Sequence, residues 1–401
     1  MKKRIAIIGG GTSSLFAASF LDPNLFEVII YEKKSALGRK FLVAGDGGFN
    51  LTHNENITDF KARYTPISFL NNALSSFSNN DLRSWLLKIG IPTFVGTSNR
   101  VFPKKGIKPI EVLKSIERYL ISQDVRFEFN KTFTGWDSEE NLVFNDSEIV
   151  KSDYIIFALG GSSWKSTGSD GSWLKTFENK GFQTVPFKAS NCAFKVNWTS
   201  NFININKGKP LKNIAISINS KTQKGEVVIT EFGIEGNAIY GLSPEIQNEL
   251  TCVGISKVSI DFKPTQSMEV ILKKLGNSKY KLSKTLKEVI KLPKPAIDLI
   301  KDALSKEAFL DLPTLAQNIK SFPMEIFGSA PIEEAISTSG GIDLSAVNDS
   351  FELYKINNHF CIGEMLDWNA PTGGYLIQGC SSMGVYLAEQ LNKLESNKFY
   401  N

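Results

Sequence analysis

The sequence predicts an α/β fold built on a parallel sheet and interrupted by a β-rich, then helical, insertion. Three features carry this reading. Residues 4–8 (RIAII) are a β-branched run that stops at Gly9-Gly10-Gly11, and a helical stretch and a second apolar run at 27–31 (EVIIY) follow it. Strand, glycine turn, helix, strand is a βαβ unit and implies a parallel pair. Residues 153–159 (DYIIFAL) form a third continuous apolar run, ended by Gly160-Gly161. The texture turns β-rich after about residue 190 and returns to α/β character at about 335, which sets expected boundaries of 1–190, 191–334 and 335–401.

The elements follow in order. The basic start MKKR precedes only four apolar residues and then three glycines, which suits a first strand and not a signal peptide. A helix is expected over 12–21, stopped by Asp22-Pro23. Residues 34–56 are a glycine-rich loop. Apolar spacing at Phe69, Leu70, Leu74, Phe77, Leu82, Trp85 and Leu86 predicts one helix over 67–89, and another is expected near 109–122. Residues 125–129 and 142–144 alternate like strands. The runs CAFKV, IAISI, EVVIT and VSIDF predict an all-β segment over 192–262, and residues 267–320 read as helices. FCIG at 360–363 closes as a strand, and 377–395 as a final amphipathic helix.

Composition narrows the function. The hydrophobic fraction is 42%, enough in 401 residues for a large core, and no stretch is long and apolar enough for a transmembrane helix. The net charge of +5 divides into 46 basic and 41 acidic residues, a mild balance that offers no strong basic block for nucleic acid. The four cysteines form no CxxC pair and match no zinc spacing, so they read as reduced thiols of a cytoplasmic protein. Having only two histidines, His53 and His359, argues against His-rich metal sites and most His-based triads.

The chemistry gathers at glycines. Gly9-x-Gly11-x-x-Ser14 follows a strand and opens a helix. The first glycine permits the tight turn and the second lets backbone approach a pyrophosphate. The N–H groups of Thr12, Ser13 and Ser14 then face the negative charge. Glu32 stands 21 residues after Gly11, where a carboxylate accepts the hydroxyls of an adenosine ribose. Lys33 adjoins it, and Arg39 and Lys40 carry charge suited to phosphate. The glycines of the AGDGG stretch, within 45–48 and starting with Gly45, offer backbone to a flat ring, with Asn50 and Thr52 placed to hydrogen-bond its edge. Phe133, Ala158 and Gly160 are further candidates for the same cleft. Gly363-Glu364 ends a buried strand, and Glu364 would accept a hydroxyl. Thr372-Gly373-Gly374-Tyr375 precedes the last helix, whose N–H groups would stabilise negative charge on a bound ring.

Residues 32–52 (EKKSALGRKFLVAGDGGFNLT) resemble the loop of the aminoacetone-oxidase and BaiN-type flavoproteins of the glutathione-reductase-like FAD superfamily. The resemblance continues at Ala158–Gly161 (ALGG), at Thr230–Ser243 (TEFGIEGNAIYGLS) and at Gly363–Gly374 (GEMLDWNAPTGG), so it covers most of the chain. The match is closer to a subgroup sharing AGxGGxNLTH and GEMLDWxAPTGGYL. Many members carry Gly-Gly-Gly-Arg-Cys-Asn where this chain has Gly45-Asp46-Gly47-Gly48-Phe49-Asn50, so roles of that arginine and cysteine do not transfer. The resemblance implies a Rossmann-like, discontinuous FAD-binding domain with an inserted cap, and substrate held between cap and flavin.

The expected function is FAD-dependent oxidoreduction of a small molecule, with hydride passing to flavin N5 and O₂ or another acceptor taking the electrons. No second GxGxxG follows a strand, which disfavours a dedicated NAD(P)H domain, so NAD(P)H docking transiently as reductant is the alternative. An FAD-bound RNA-modifying or RNA-binding protein is a reading of another class. An NAD-only dehydrogenase would leave the C-terminal GE…PTGG segment unexplained. The sequence names no catalytic base. His53 is a lone histidine after the glycine loop, and Cys380 lacks the partner that disulfide chemistry needs.

Overall fold

A computed structural model describes residues 1–43 and 49–399. The chain divides into two compact units, one of residues 1–188 with 336 onward, the other Ala189–Ala335.

The first unit is organised on five parallel strands. β1 (Lys3–Ile8) lies at the centre. α1 (Thr12–Phe20) leaves it through the glycine turn, and β2 (Phe26–Glu32) returns beside it. Across the sheet the order is His359–Cys361, Tyr154–Phe157, β1, β2, Arg126–Phe129, and each adjacent pair is parallel. The strand supplied by the end of the chain is therefore an edge of the sheet begun by its start. Ile5 to Ile8 are at most 1% exposed, because both faces of β1 are covered.

One face meets α1 and the terminal helix Tyr375–Phe399. These two helices approach so closely that a Cβ on Gly384 would lie 2.7 Å from the Ala17 nitrogen. The other face meets an antiparallel meander of Phe133–Trp136, Leu142–Phe144 and Glu148–Val150. There Tyr31 stacks on Phe144 at 4.8 Å between ring centres, and Phe133 packs on Phe157 at 5.1 Å. A separate three-stranded sheet orders Thr52–His53, Arg100–Pro103 and Thr93–Val95.

The second unit holds a seven-stranded antiparallel sheet. Its order is Phe322–Ile326, Ser256–Asp261, Pro210–Ile218, Lys221–Ile229, Gly233–Glu235, Phe194–Lys195, Gly328–Ser329. It has a hydrophobic core of its own, including Leu211, Ile216, Val227, Ile260 and Ile300.

Two expectations are corrected. The helix expected over 67–89 is two helices, Asn71–Ser76 and Asn79–Lys88. Ser78 separates them, taking a hydrogen bond from the Asp81 nitrogen while the Asp81 carboxylate accepts from the Ser78 nitrogen, a capping box that starts a new helix. The all-β reading of 192–262 missed the helices Ser200–Asn206, Asn237–Tyr240 and Ser243–Val253. Thr199 caps the first of these by accepting from the Phe202 nitrogen. Among the described residues no helix is long and apolar enough to cross a membrane.

Candidate functional site

The glycine turn after β1 is fixed by close backbone contact. Gly9 has φ +102°, and a Cβ there would collide with the Ala158 carbonyl, so the turn lies against the end of the Tyr154–Phe157 strand. The Ala158 nitrogen donates to the Ile8 carbonyl at 2.8 Å. Above Gly11 a Cβ would meet nothing within 4 Å. α1 begins there with no side-chain cap and no acid in its first turn. Its first N–H groups thus have no side-chain acceptor from the cap or the first turn, the arrangement that suits an anion. Ser14 donates to the Gly9 carbonyl, so this side chain braces the turn from within.

Glu32 ends β2 with both carboxylate oxygens engaged. One accepts from the Gly10 nitrogen and the other from the Lys34 nitrogen, each at 2.7 Å. Each oxygen keeps a further lone pair for a ribose hydroxyl. Lys33 pairs with Asp170 at 2.8 Å, and Arg39 reaches the Ser166 carbonyl at 3.4 Å. Lys40 pairs with Glu364 at 2.9 Å, so two proposed cofactor residues from opposite ends of the chain meet directly.

Gly363 makes the same connection. A Cβ on it would run into the Ser13 hydroxyl, which places the end of the C-terminal strand on the first turn of α1. Cys380 lies here too. Burial, together with the Glu364 carboxylate, raises its thiol to about 12, so it is an inert packing group. Gly160 gives its carbonyl to Trp173 Nε1 at 3.0 Å. Phe133 turns its ring into the aromatic core, which leaves only its backbone for a ligand.

The second half of the site is the turn at Thr372–Gly374. Gly374 has φ +98°, and a Cβ there would lie 2.5 Å from Thr52 Cα. Only glycine allows the turn to rest on the Thr52 backbone. Thr52 itself is fully buried, and its hydroxyl donates to Gln378 Oε1 at 2.8 Å. This corrects the expectation that the hydroxyl meets a ring edge: it locks a strand to the terminal helix. Gln378 Nε2 donates in turn to the Phe77 carbonyl and to Ser382 Oγ, both at 3.0 Å. Asn50 Nδ2 is buried with no partner among the described residues, a donor left for a ligand. Gly45 lies outside the described residues.

A polar cluster that the sequence did not group surrounds Tyr375. Its hydroxyl donates to Glu55 Oε1 at 2.6 Å, and Arg63 clamps the same carboxylate at 3.1 and 2.9 Å. Burial would raise Glu55, but the hydrogen bonds from Arg63 and Tyr375 outweigh it and hold the carboxyl low. Burial, helped by Glu55, raises the Tyr375 phenol. His53 stacks on Tyr375 with ring centres 5.3 Å apart. Burial lowers its pKa, and its Nδ1 is buried without a partner among the described residues. Among the described residues no group of acidic, His and Cys side chains could hold a metal ion.

This geometry fits FAD. An uncapped helix start, a ribose acid tied to the glycine turn, and a glycine pair before the terminal helix belong to one class, the two-part FAD-binding Rossmann proteins. The chain belongs to the HI0933-like family, whose Rossmann-domain model matches residues 3–390. Among curated proteins it is 24% identical to the ribosomal RNA dihydrouridine synthase of Haemophilus influenzae, over 93% of this chain and 94% of that one. It is 25% identical to the 3-dehydro-bile acid delta(4,6)-reductase of Clostridium scindens, over 96% and 98%. Among solved structures, 3-ketosteroid delta1-dehydrogenase from Sterolibacterium denitrificans has a similar fold, with a TM-score of 0.50 at 11% identity, covering 98% of this chain and 100% of that one. The protein is an FAD-dependent oxidoreductase.

Proposed function

We propose that this protein uses FAD to reduce a carbon–carbon double bond conjugated to a carbonyl in a small cyclic molecule. The observation that carries the cofactor half of this reading is the meeting of chain ends at α1, where Lys40 pairs with Glu364 and Gly363 rests on Ser13. A nest made by both termini suits an elongated dinucleotide. The printed activities of the two curated relatives, a delta(4,6)-reductase and a dihydrouridine synthase, support the direction: each name describes saturation of a ring double bond. This reverses the oxidase direction that the sequence resemblance suggested.

When bound, FAD supplies hydride chemistry at N5. The protein's own residues do the rest. Glu32 takes the adenosine ribose, and the N–H groups of Thr12, Ser13 and Ser14 take the pyrophosphate. Glu364 takes a hydroxyl of the ribityl chain. Asn50 and the turn at Gly373-Gly374 hold the ring's polar edge. NAD(P)H docks transiently as reductant, the chain having no second glycine fingerprint after a strand. The four cysteines are free, in keeping with a cytoplasmic protein. The +5 charge, spread over both signs, does not favour RNA as the substrate.

Anaerobic bleaching tests the proposal. NADPH should bleach the bound flavin, and a 3-oxo-4-ene steroid added afterwards should restore the oxidised spectrum with formation of the saturated ketone. Reoxidation by O₂ alone, with no response to any conjugated enone, would overturn the reductase reading.

A further inference from the structure

Arg100 lies in the Arg100–Pro103 strand, directly opposite His53 in antiparallel register. Directly opposed residues share a face of the sheet. The Arg100 guanidinium reaches past the strand to the terminal turn: its Nε lies 3.6 Å from where a Cβ on Gly373 would sit. His53, Tyr375, Gly373 and Arg100 therefore border one place, and Arg100 adds to the forces that keep His53 neutral.

Among the described residues Arg100 differs from the other arginines in having no partner. Arg4 and Arg126 pair with Glu27, and Arg63 with Glu55. Arg39 donates to the Ser166 carbonyl, Arg83 to Asn54 and Thr93, and Arg118 to Ser115. Among the described residues no carboxylate and no hydrogen-bond acceptor meets Arg100, although it is half-buried. A guanidinium partly withdrawn from water gains more from an anionic ligand that supplies a counter-charge than a fully solvated one does. The fork of five donors suits a planar, delocalised anion.

We infer that Arg100 is the cation that stabilises the reduced flavin. The inference rests on the FAD reading, which seats the ring's N1–C2=O edge at the Gly373-Gly374 turn. Uptake of a hydride brings two electrons and one proton, so one negative charge remains on that edge. Arg100 places a fixed positive charge there before reduction begins, the kind of preorganised electrostatics that favours the charged state. His53, neutral beside it, adds no second charge and offers Nδ1 as an acceptor for a ring N–H.

The test is the midpoint potential of the FAD-loaded protein, measured by dye equilibration. Arg100→Met should shift the oxidised-to-reduced equilibrium ten- to hundredfold toward the oxidised form, a fall of about 30–60 mV for a two-electron couple. Sulfite, whose addition to a flavin leaves the same negative charge on the ring, should bind Arg100→Met ten- to hundredfold more weakly. Arg100→Lys should recover most of both. An unchanged potential and unchanged sulfite affinity in Arg100→Met would overturn the assignment. Should Arg100→Met fail to keep flavin, Arg100→Lys and Arg100→Gln decide: equal potentials in the two refute the charge role, and a lower potential in Gln alone supports it. A parent protein that takes up no FAD sinks the cofactor reading itself, whereas a flavin-loaded parent indifferent to Arg100 sinks only this inference.

Discussion

Glu32→Gln keeps the size of the side chain and removes one acceptor. In the parent each carboxylate oxygen takes a backbone N–H at 2.7 Å, from Gly10 and from Lys34. An amide has a single oxygen, so one of these N–H groups must face an NH₂. A hydrogen bond to a charged group contributes about 1.5–3 kcal/mol. The Gly10 bond holds the turn that approaches the pyrophosphate, and the same carboxylate receives the ribose. Loss of one such bond in the cofactor complex, about 3 kcal/mol at most, corresponds to roughly a hundredfold in affinity. FAD added to apoprotein, followed by flavin fluorescence, should show that weakening. FMN, which lacks the adenosine ribose, should lose much less. FAD affinity within about twofold of the parent would refute the role given to Glu32, as would an equal loss for FMN.

Gly374→Ala forces a methyl to 2.5 Å from Thr52 Cα at a φ of +98°, so FAD retention on dialysis should drop sharply, and full retention would contradict the cradle. Gln378→Leu leaves the buried Thr52 hydroxyl without its acceptor and should lower stability by about 1–3 kcal/mol, read as a fall in the thermal midpoint. The pH dependence of stability follows from the histidines. Burial lowers the pKa of both His359 and His53, so the unfolded chain binds protons that the folded one resists. Their contribution is fully present above the unfolded value of about 6.5 and is lost as pH falls below it. Thermal midpoints should therefore drop on acidification below that value, and less steeply in His359→Leu. A midpoint that rises with acid would contradict the assignment.

What could be read from the chain was what is local. The βαβ unit, its glycine turn and Glu32 lie within 32 residues, and periodicity marks each part. The PTGG turn stands next to the strand end and helix that position it. The rest needed contacts across the sequence. Thr52 looked like a ring contact because nothing nearby shows that Gln378, a full fold away, takes its hydroxyl. Arg100 carries no local signal, because only strand register brings it to His53 and only the terminal turn brings Gly373 to both. The break at Ser78 was readable, since Ser78-x-x-Asp81 is a capping pattern, but the apolar spacing on either side masked it. The helices expected over 267–320 are present, whereas Ser200–Asn206, Asn237–Tyr240 and Ser243–Val253 were hidden among β-branched runs, with the Thr199 cap a local signal of the first.

The account stands on the cofactor, and one preparation decides it. Purified protein should show the two-band visible spectrum of a flavin, and acid should release FAD at about one per chain. FMN, a nicotinamide nucleotide, or a colourless protein that binds no added FAD would contradict the claim that both ends of the chain fold around this dinucleotide.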